Sequence, residues 1–108
     1  MTVHRKTPPD CPIERFIAVI SGRWKAMVIW QLLEQPLRYS DMMQRIPEIT
    51  QRVLSQVLKD LEKDGIIERS QQKTWQLTAL GQALKPSVNE MFAWGNLSKN
   101  LNSKPQST

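Results

Sequence analysis

The sequence predicts a mainly α domain carrying one small β-hairpin, and three observations lead there. Two apolar helical patterns, Ile13 to Ile20 and Trp24 to Leu33, precede a pair of capped helices between Ser40 and Asp64. Two short β-rich runs, Ile66 to Arg69 and Thr74 to Leu77, flank the polar loop Ser70 to Lys73. A long helical pattern then runs almost to the end of the chain. A helix-turn-helix followed by a hairpin is the winged-helix arrangement, here with an extra helix at each end.

Each element has a local reason. Pro12 suits a first helical position, where its missing N–H forfeits no bond. Ile13, Phe16, Ile17 and Ile20 then recur at helical spacing, and Ser21-Gly22 breaks the pattern. Trp24 to Leu33 is apolar almost all round, as a buried central helix should be, and Pro36 ends it. Leu37-Arg38-Tyr39 reads as a short extended piece, and Ser40 as the N-cap of a short helix from Asp41 to Arg45, closed by Pro47. Thr50 is the next cap, opening a helix that runs to Asp64, with Gly65 as its stop. After the hairpin, Thr78 caps a last helix reaching about Asn100, and Pro86 inside it is expected to kink it. Residues 1–10 and 101–108 read as flexible tails around one domain at 11–100.

Composition narrows the function. The chain has 108 residues, 40% of them hydrophobic, which suits one compact domain. It contains no run of about 18 apolar residues and no apolar leader after Met1, so no membrane association is expected and a cytoplasmic location is. The single cysteine fits a reducing compartment. One histidine, His4, and one cysteine leave no metal-ligand cluster, and four glycines form no phosphate loop. No nucleophile–base pair is visible, so an enzyme is not expected, nor is a cofactor. The net charge of +5 and a pI of 9.7 favour a polyanionic partner.

The helix TQRVLSQVLKDLEK, residues 50–63, shows where that partner would bind. At about 100° per residue, Leu54, Val57, Leu58 and Leu61 share one face. Arg52, Gln56, Lys59 and Lys63 fall opposite, with Ser55 flanking, and Thr50, Gln51 and Arg52 occupy the first turn. Arg bonds guanine bidentately, Gln bonds adenine, and Ser bonds several base edges or a phosphate. A recognition helix points its N-terminal turn at the bases. A solvated helix face has similar composition; the preceding short helix and following hairpin favour double-stranded DNA. The expected DNA contacts are Arg38 and Ser40 at the first helix of the pair, then Thr50, Gln51, Arg52, Ser55, Gln56 and Lys59, and finally Arg69, Gln72 and Lys73 on the hairpin. Hairpin cations add affinity and salt dependence more than sequence information.

In the order given, Cys11-Pro12-Ile13-Glu14-Arg15, Ile20-Ser21-Gly22-Arg23-Trp24-Lys25, Leu33-Glu34-Gln35-Pro36-Leu37-Arg38-Tyr39-Ser40-Asp41-Met42 and Ile46-Pro47-Glu48-Ile49-Thr50-Gln51-Arg52-Val53-Leu54-Ser55 carry a resemblance, completed by Asp64-Gly65-Ile66-Ile67-Glu68-Arg69, Leu77-Thr78-Ala79-Leu80-Gly81 and Ala93-Trp94-Gly95. Across residues 11–95 the chain resembles the HxlR family of bacterial winged-helix transcription regulators, relatives of the MarR type. The resemblance implies a homodimer on a palindromic operator, with the 50–63 helix in the major groove and the wing near the minor groove. It further implies a dimer interface built from the first and last helices. Some family members sense oxidants or electrophiles through a cysteine at the position of Cys11. The hairpin loop here is several residues shorter than is usual in the family, which limits the reach of Gln72 and Lys73.

Two of these implications have support in the residues themselves. If Pro12 opens the first helix, Cys11 is its N-cap, a position from which its thiol could meet an oxidant or other small-molecule effector. An unreactive cysteine in an interface is the other reading. The last helix presents Val88, Met91, Phe92 and Trp94, more apolar surface than one small core needs. With Ile13, Phe16 and Ile17 of the first helix, these are the residues expected to pair two copies. A competing function is a winged-helix module for protein contacts that does not bind DNA specifically.

Overall fold

The structure is a computed structural model, and it describes residues 10–101. The expected flexible tails, His4 included, lie outside the described residues apart from Asp10 and Leu101. The chain runs through α1 (Pro12–Ile20), α2 (Arg23–Leu32), α3 (Tyr39–Arg45) and α4 (Gln51–Lys63). It continues through β1 (Ile67–Arg69), β2 (Trp75–Leu77), α5 (Ala79–Gln82) and α6 (Lys85–Leu101). This is a winged helix-turn-helix, with α3 and α4 as the helix pair and β1–β2 as the wing.

Local chemistry sets the boundaries that matter. Pro12 opens α1 with Cys11 as its N-cap. Gly22, at φ 89°, is the N-cap of α2 and provides the turn out of α1. Thr50 caps α4, its hydroxyl oxygen accepting the Val53 N–H at 3.2 Å. At the other end the Ile66 N–H donates to the Leu61 carbonyl at 2.9 Å, and the Gly65 N–H to Glu62 at 3.0 Å. That pair of bonds, around Gly65 at φ 77°, is a glycine-terminated helix stop that satisfies two of the last carbonyls of α4. The stop delivers Ile66 and Ile67 directly into the core.

The core is apolar throughout the described residues, with no buried polar or charged side chain. Val28, Ile29 and Leu32 of α2 meet Met42 of α3 and Leu54, Val57, Leu58 and Leu61 of α4. Ile66, Ile67 and Leu77 close it from the wing. β1 and β2 pair antiparallel in the register Ile67↔Leu77, Glu68↔Gln76, Arg69↔Trp75. Leu37 adds a single bridge on the far side of β2, its N–H donating to Trp75 at 3.0 Å and its carbonyl accepting from Trp75 at 2.7 Å. The wing is thereby tied to the loop that leads into α3.

Three expectations are corrected. Helix α3 begins at Tyr39, so Ser40 is not its N-cap; Arg38 is, and the Asp41 carboxylate reaches back to accept the Arg38 backbone N–H at 3.0 Å. That bond satisfies the helix start without a hydroxyl, and the Tyr39 ring is packed against the core. The expected single kinked helix after the hairpin is two helices, α5 and α6, separated at Ala83-Leu84. Pro86 sits in the first turn of α6, where a missing N–H costs no helical bond. Val88, expected at a dimer interface, is 3% exposed and belongs to this chain's own core.

Gly81 brings α5 close against Ile66 and Leu77 at the base of the hairpin. A methyl group there would collide with the Ile66 carbonyl oxygen and lie 3.1 Å from Leu77 Cδ2. Replacing Gly81 by Ala should destabilise the fold by about 1–3 kcal/mol through overpacking. Thermal unfolding should register this as a fall of about 4–8 °C per kcal/mol in a domain of this size. An unchanged or higher Tm would mean that α5 does not pack against the wing this closely.

Candidate nucleic-acid interface

Helix α4 is the element on which the site is built. Its apolar residues are clamped in the core, Leu54 and Leu61 without exposure. Full burial of a leucine stabilises by about 1.5–3 kcal/mol, so the rotation of α4 about its own axis is firmly set. That rotation leaves Gln51, Arg52, Ser55, Gln56, Lys59 and Lys63 exposed. Its first turn contains no acidic residue. Gln56 directs one amide N–H to the Asp60 carboxylate at 2.9 Å, which leaves its second N–H and its oxygen to face outward partners. Just before the helix, Glu48 takes a positive φ of 70°, and Arg23 donates to its carboxylate at 2.9 Å. The Arg23 guanidinium also lies 4.2 Å from the centre of the Trp24 ring, which connects the start of α2 to the turn before α4.

Helix α3 braces α4. The Tyr39 hydroxyl donates to the Gln51 carbonyl at 3.0 Å and lies 3.1 Å from the Ser55 hydroxyl. Sequence reasoning placed Tyr39 in an extended piece and assigned it no function. The only usable signal is that it is the chain's sole tyrosine, beside the helix pair. Arg38 and Ser40 at the same helix start are exposed.

The wing is short and tightly tied. The Ser70 N–H donates to the Thr74 carbonyl at 2.8 Å, and the Lys73 N–H to the Ser70 carbonyl at 3.1 Å. The Ser70 hydroxyl oxygen accepts the Gln72 and Thr74 N–H groups, each at 3.2 Å. Lys73 completes the turn in the left-handed region at φ 64°. Gln72 and Lys73 stand exposed at the tip. Arg69 lies further back, its guanidinium 5.3 Å from the centre of the Trp75 ring.

A cleft of about 400 Å³ runs between α4 and the wing, lined by Tyr39, Ser55, Leu58, Lys59, Glu62, Arg69 and Trp75. Three of the expected contact residues, Ser55, Lys59 and Arg69, therefore meet in one place. Gln72 and Lys73 are not among its walls.

The terminal helices carry the remaining expected residues. No residue of α1 is buried; Ile13 and Ile17 are exposed and Phe16 is half-buried. Along α6, Met91 and Trp94 are exposed, and Phe92, also exposed, stacks on Trp30 at 4.6 Å between ring centres. Cys11 is an exposed free thiol, and its backbone carbonyl accepts the Arg15 N–H at 2.9 Å. No helix among the described residues is long and apolar enough to cross a membrane.

Residues 19–103 match the family model described as HxlR-like helix-turn-helix. The chain belongs to that family. The resemblance read from residues 11–95 is thus borne out, and with it the class of helix-turn-helix transcription regulator. This HxlR-type chain is 34% identical over 91 residues to YdeP of Bacillus subtilis (strain 168), an uncharacterised HTH-type transcriptional regulator, covering 79% of this chain and 71% of that one. Among solved structures, quinone-bound YodB from B. subtilis is 34% identical, with a TM-score of 0.72 over 81% of this chain and 99% of its own. The redox regulator HypR in its oxidised form is 32% identical, with a TM-score of 0.74 over 90% of this chain and all of its own.

Proposed function

We propose that this HxlR-type regulator binds a palindromic operator as a homodimer, with α4 entering the major groove of each half-site. The observation that carries the reading is the set of α4. Its leucines are held in the core, so Arg52, Gln56 and Lys59 are exposed on the other face. Thr50, Gln51, Arg52 and Ser55 are the base-reading end, and Lys59 and Arg69 contact phosphates at the cleft. Arg38 and Ser40 meet the backbone beside α3, and Gln72 and Lys73 meet it from the wing tip. Two copies pair through Ile13, Phe16 and Ile17 of α1 and Met91, Phe92 and Trp94 of α6. This pairing would cover apolar surface that a single copy leaves open.

Cys11 is the proposed input. It is exposed at the start of a helix assigned here to the dimer interface. Two structural relatives are titled for a bound quinone and for redox regulation. An oxidant or electrophile that modifies Cys11 would change how the two copies pair, and hence the spacing of the two α4 helices.

Fluorescence anisotropy with the promoter duplex beside the chain's own gene, at two salt concentrations, tests the DNA reading. Arg52→Ala should weaken specific binding by about 1–3 kcal/mol, whereas Lys73→Ala should weaken all duplexes alike and lower the salt slope by about one. A footprint should show two protected half-sites about one helical turn apart. Equal affinity for promoter and random duplex would favour instead a winged-helix module for protein contacts, which the short wing and open apolar surface would suit.

The thiol input has its own control. Diamide or a quinone should release wild-type protein from the operator and leave Cys11→Ser bound. The same loss in both proteins would reject a switch at Cys11.

A further inference from the structure

We propose that Tyr39 fixes the hydrogen-bonding polarity of Ser55, so that Ser55 reads DNA only as an acceptor. The inference rests on the operator reading above and sharpens it. The Tyr39 hydroxyl has one hydrogen, and the Gln51 carbonyl 3.0 Å away can only accept, so that hydrogen goes to the carbonyl. The Ser55 hydroxyl lies 3.1 Å from the same phenolic oxygen. With the phenol's hydrogen already placed, the bond between the two hydroxyls closes only if Ser55 donates. The chain of bonds therefore runs from Ser55 to Tyr39 to Gln51.

Ser55 has then used its only hydrogen, while its oxygen, on an exposed residue that lines the cleft beside Lys59 and Arg69, keeps lone pairs. A free serine hydroxyl bonds either kind of base edge because it can rotate and switch roles. Ser55 cannot switch without breaking its bond to Tyr39. It is complementary to an amino group in the major groove, adenine N6 or cytosine N4. It is mismatched to guanine O6 and N7, thymine O4 and phosphate oxygens, all of which only accept. Tyr39 is a positioning residue, half-buried against the core and acting on DNA through Ser55.

The test uses the full chain and a library of duplexes with a randomised core, selected with wild type, Tyr39→Phe and Ser55→Ala. Phenylalanine keeps the ring and its packing. Wild type should prefer adenine or cytosine at one position of each half-site, and Ser55→Ala should abolish that preference alone. Tyr39→Phe should select the same site but lose about 2- to 10-fold of the discrimination there, because the freed Ser55 hydroxyl can now donate as well as accept. A Tyr39→Phe protein with the wild-type preference at that position overturns the proposal. So does a wild-type preference for guanine or thymine there, or a Ser55→Ala site identical to wild type. If wild type enriches nothing, the operator reading falls together with this one. The bond itself is tested without DNA: the Tm losses of Tyr39→Phe and Ser55→Ala should be less than additive in the double variant, and full additivity overturns the hydroxyl chain.

Discussion

The structure depends on four residues of one helix. Leu54, Val57, Leu58 and Leu61 sit on a single face of α4, and all four are taken up by the core. Losing any one of the leucines to alanine would cost about 2–5 kcal/mol, a large part of a small domain's stability. A rotation of α4 large enough to hide Arg52 would expose those leucines. The requirement to bury apolar surface therefore fixes the direction in which the polar residues point, and the proposed DNA-binding geometry follows from a folding constraint.

Polar interactions set details within that frame. The Arg23–Glu48 pair is exposed at both ends, with side chains 65% and 74% accessible, so it contributes only about 0–1 kcal/mol. It links the start of α2 to the turn that leads into Thr50. The Thr50 cap is worth about 1 kcal/mol and keeps the first turn of α4 intact where bases would be read. The first and last helices follow a different rule. α1 and much of α6 bury few of their residues, so apolar side chains such as Ile13, Ile17, Met91 and Trp94 stay exposed.

The part of the fold governed by local chemistry was legible in the sequence. Leucine spacing, the Thr50 cap and the Gly65 stop each act within a few residues, and α4 was read correctly from them. What escaped was decided either by competition between neighbouring residues or by partners far along the chain. Ser40 looks like a cap because it carries a hydroxyl, yet Asp41 satisfies the Arg38 N–H and the helix starts at Tyr39, two residues earlier than the cap assignment allowed. Val88 shares its helical spacing with exposed neighbours, and no local pattern says which apolar face the chain itself will cover. Pro86 was read as an interior kink because the break before it, at Ala83-Leu84, has no glycine to announce it. The brace at Tyr39 joins residues 12 and 16 positions apart, beyond any local pattern. In the candidate site, the exposure of the polar side chains on α4 was legible because the helix period places them opposite the leucines, while the cleft that gathers Ser55, Lys59 and Arg69 is a product of tertiary packing.

The central claim is that α4 presents its exposed face to duplex DNA. Amide chemical-shift mapping on addition of the promoter duplex tests it most directly. The account predicts shifts concentrated at residues 50–59 and 69–73, with the buried leucine positions keeping their packing. Shifts confined to α1 and α6, with α4 unmoved at saturating duplex, would contradict it.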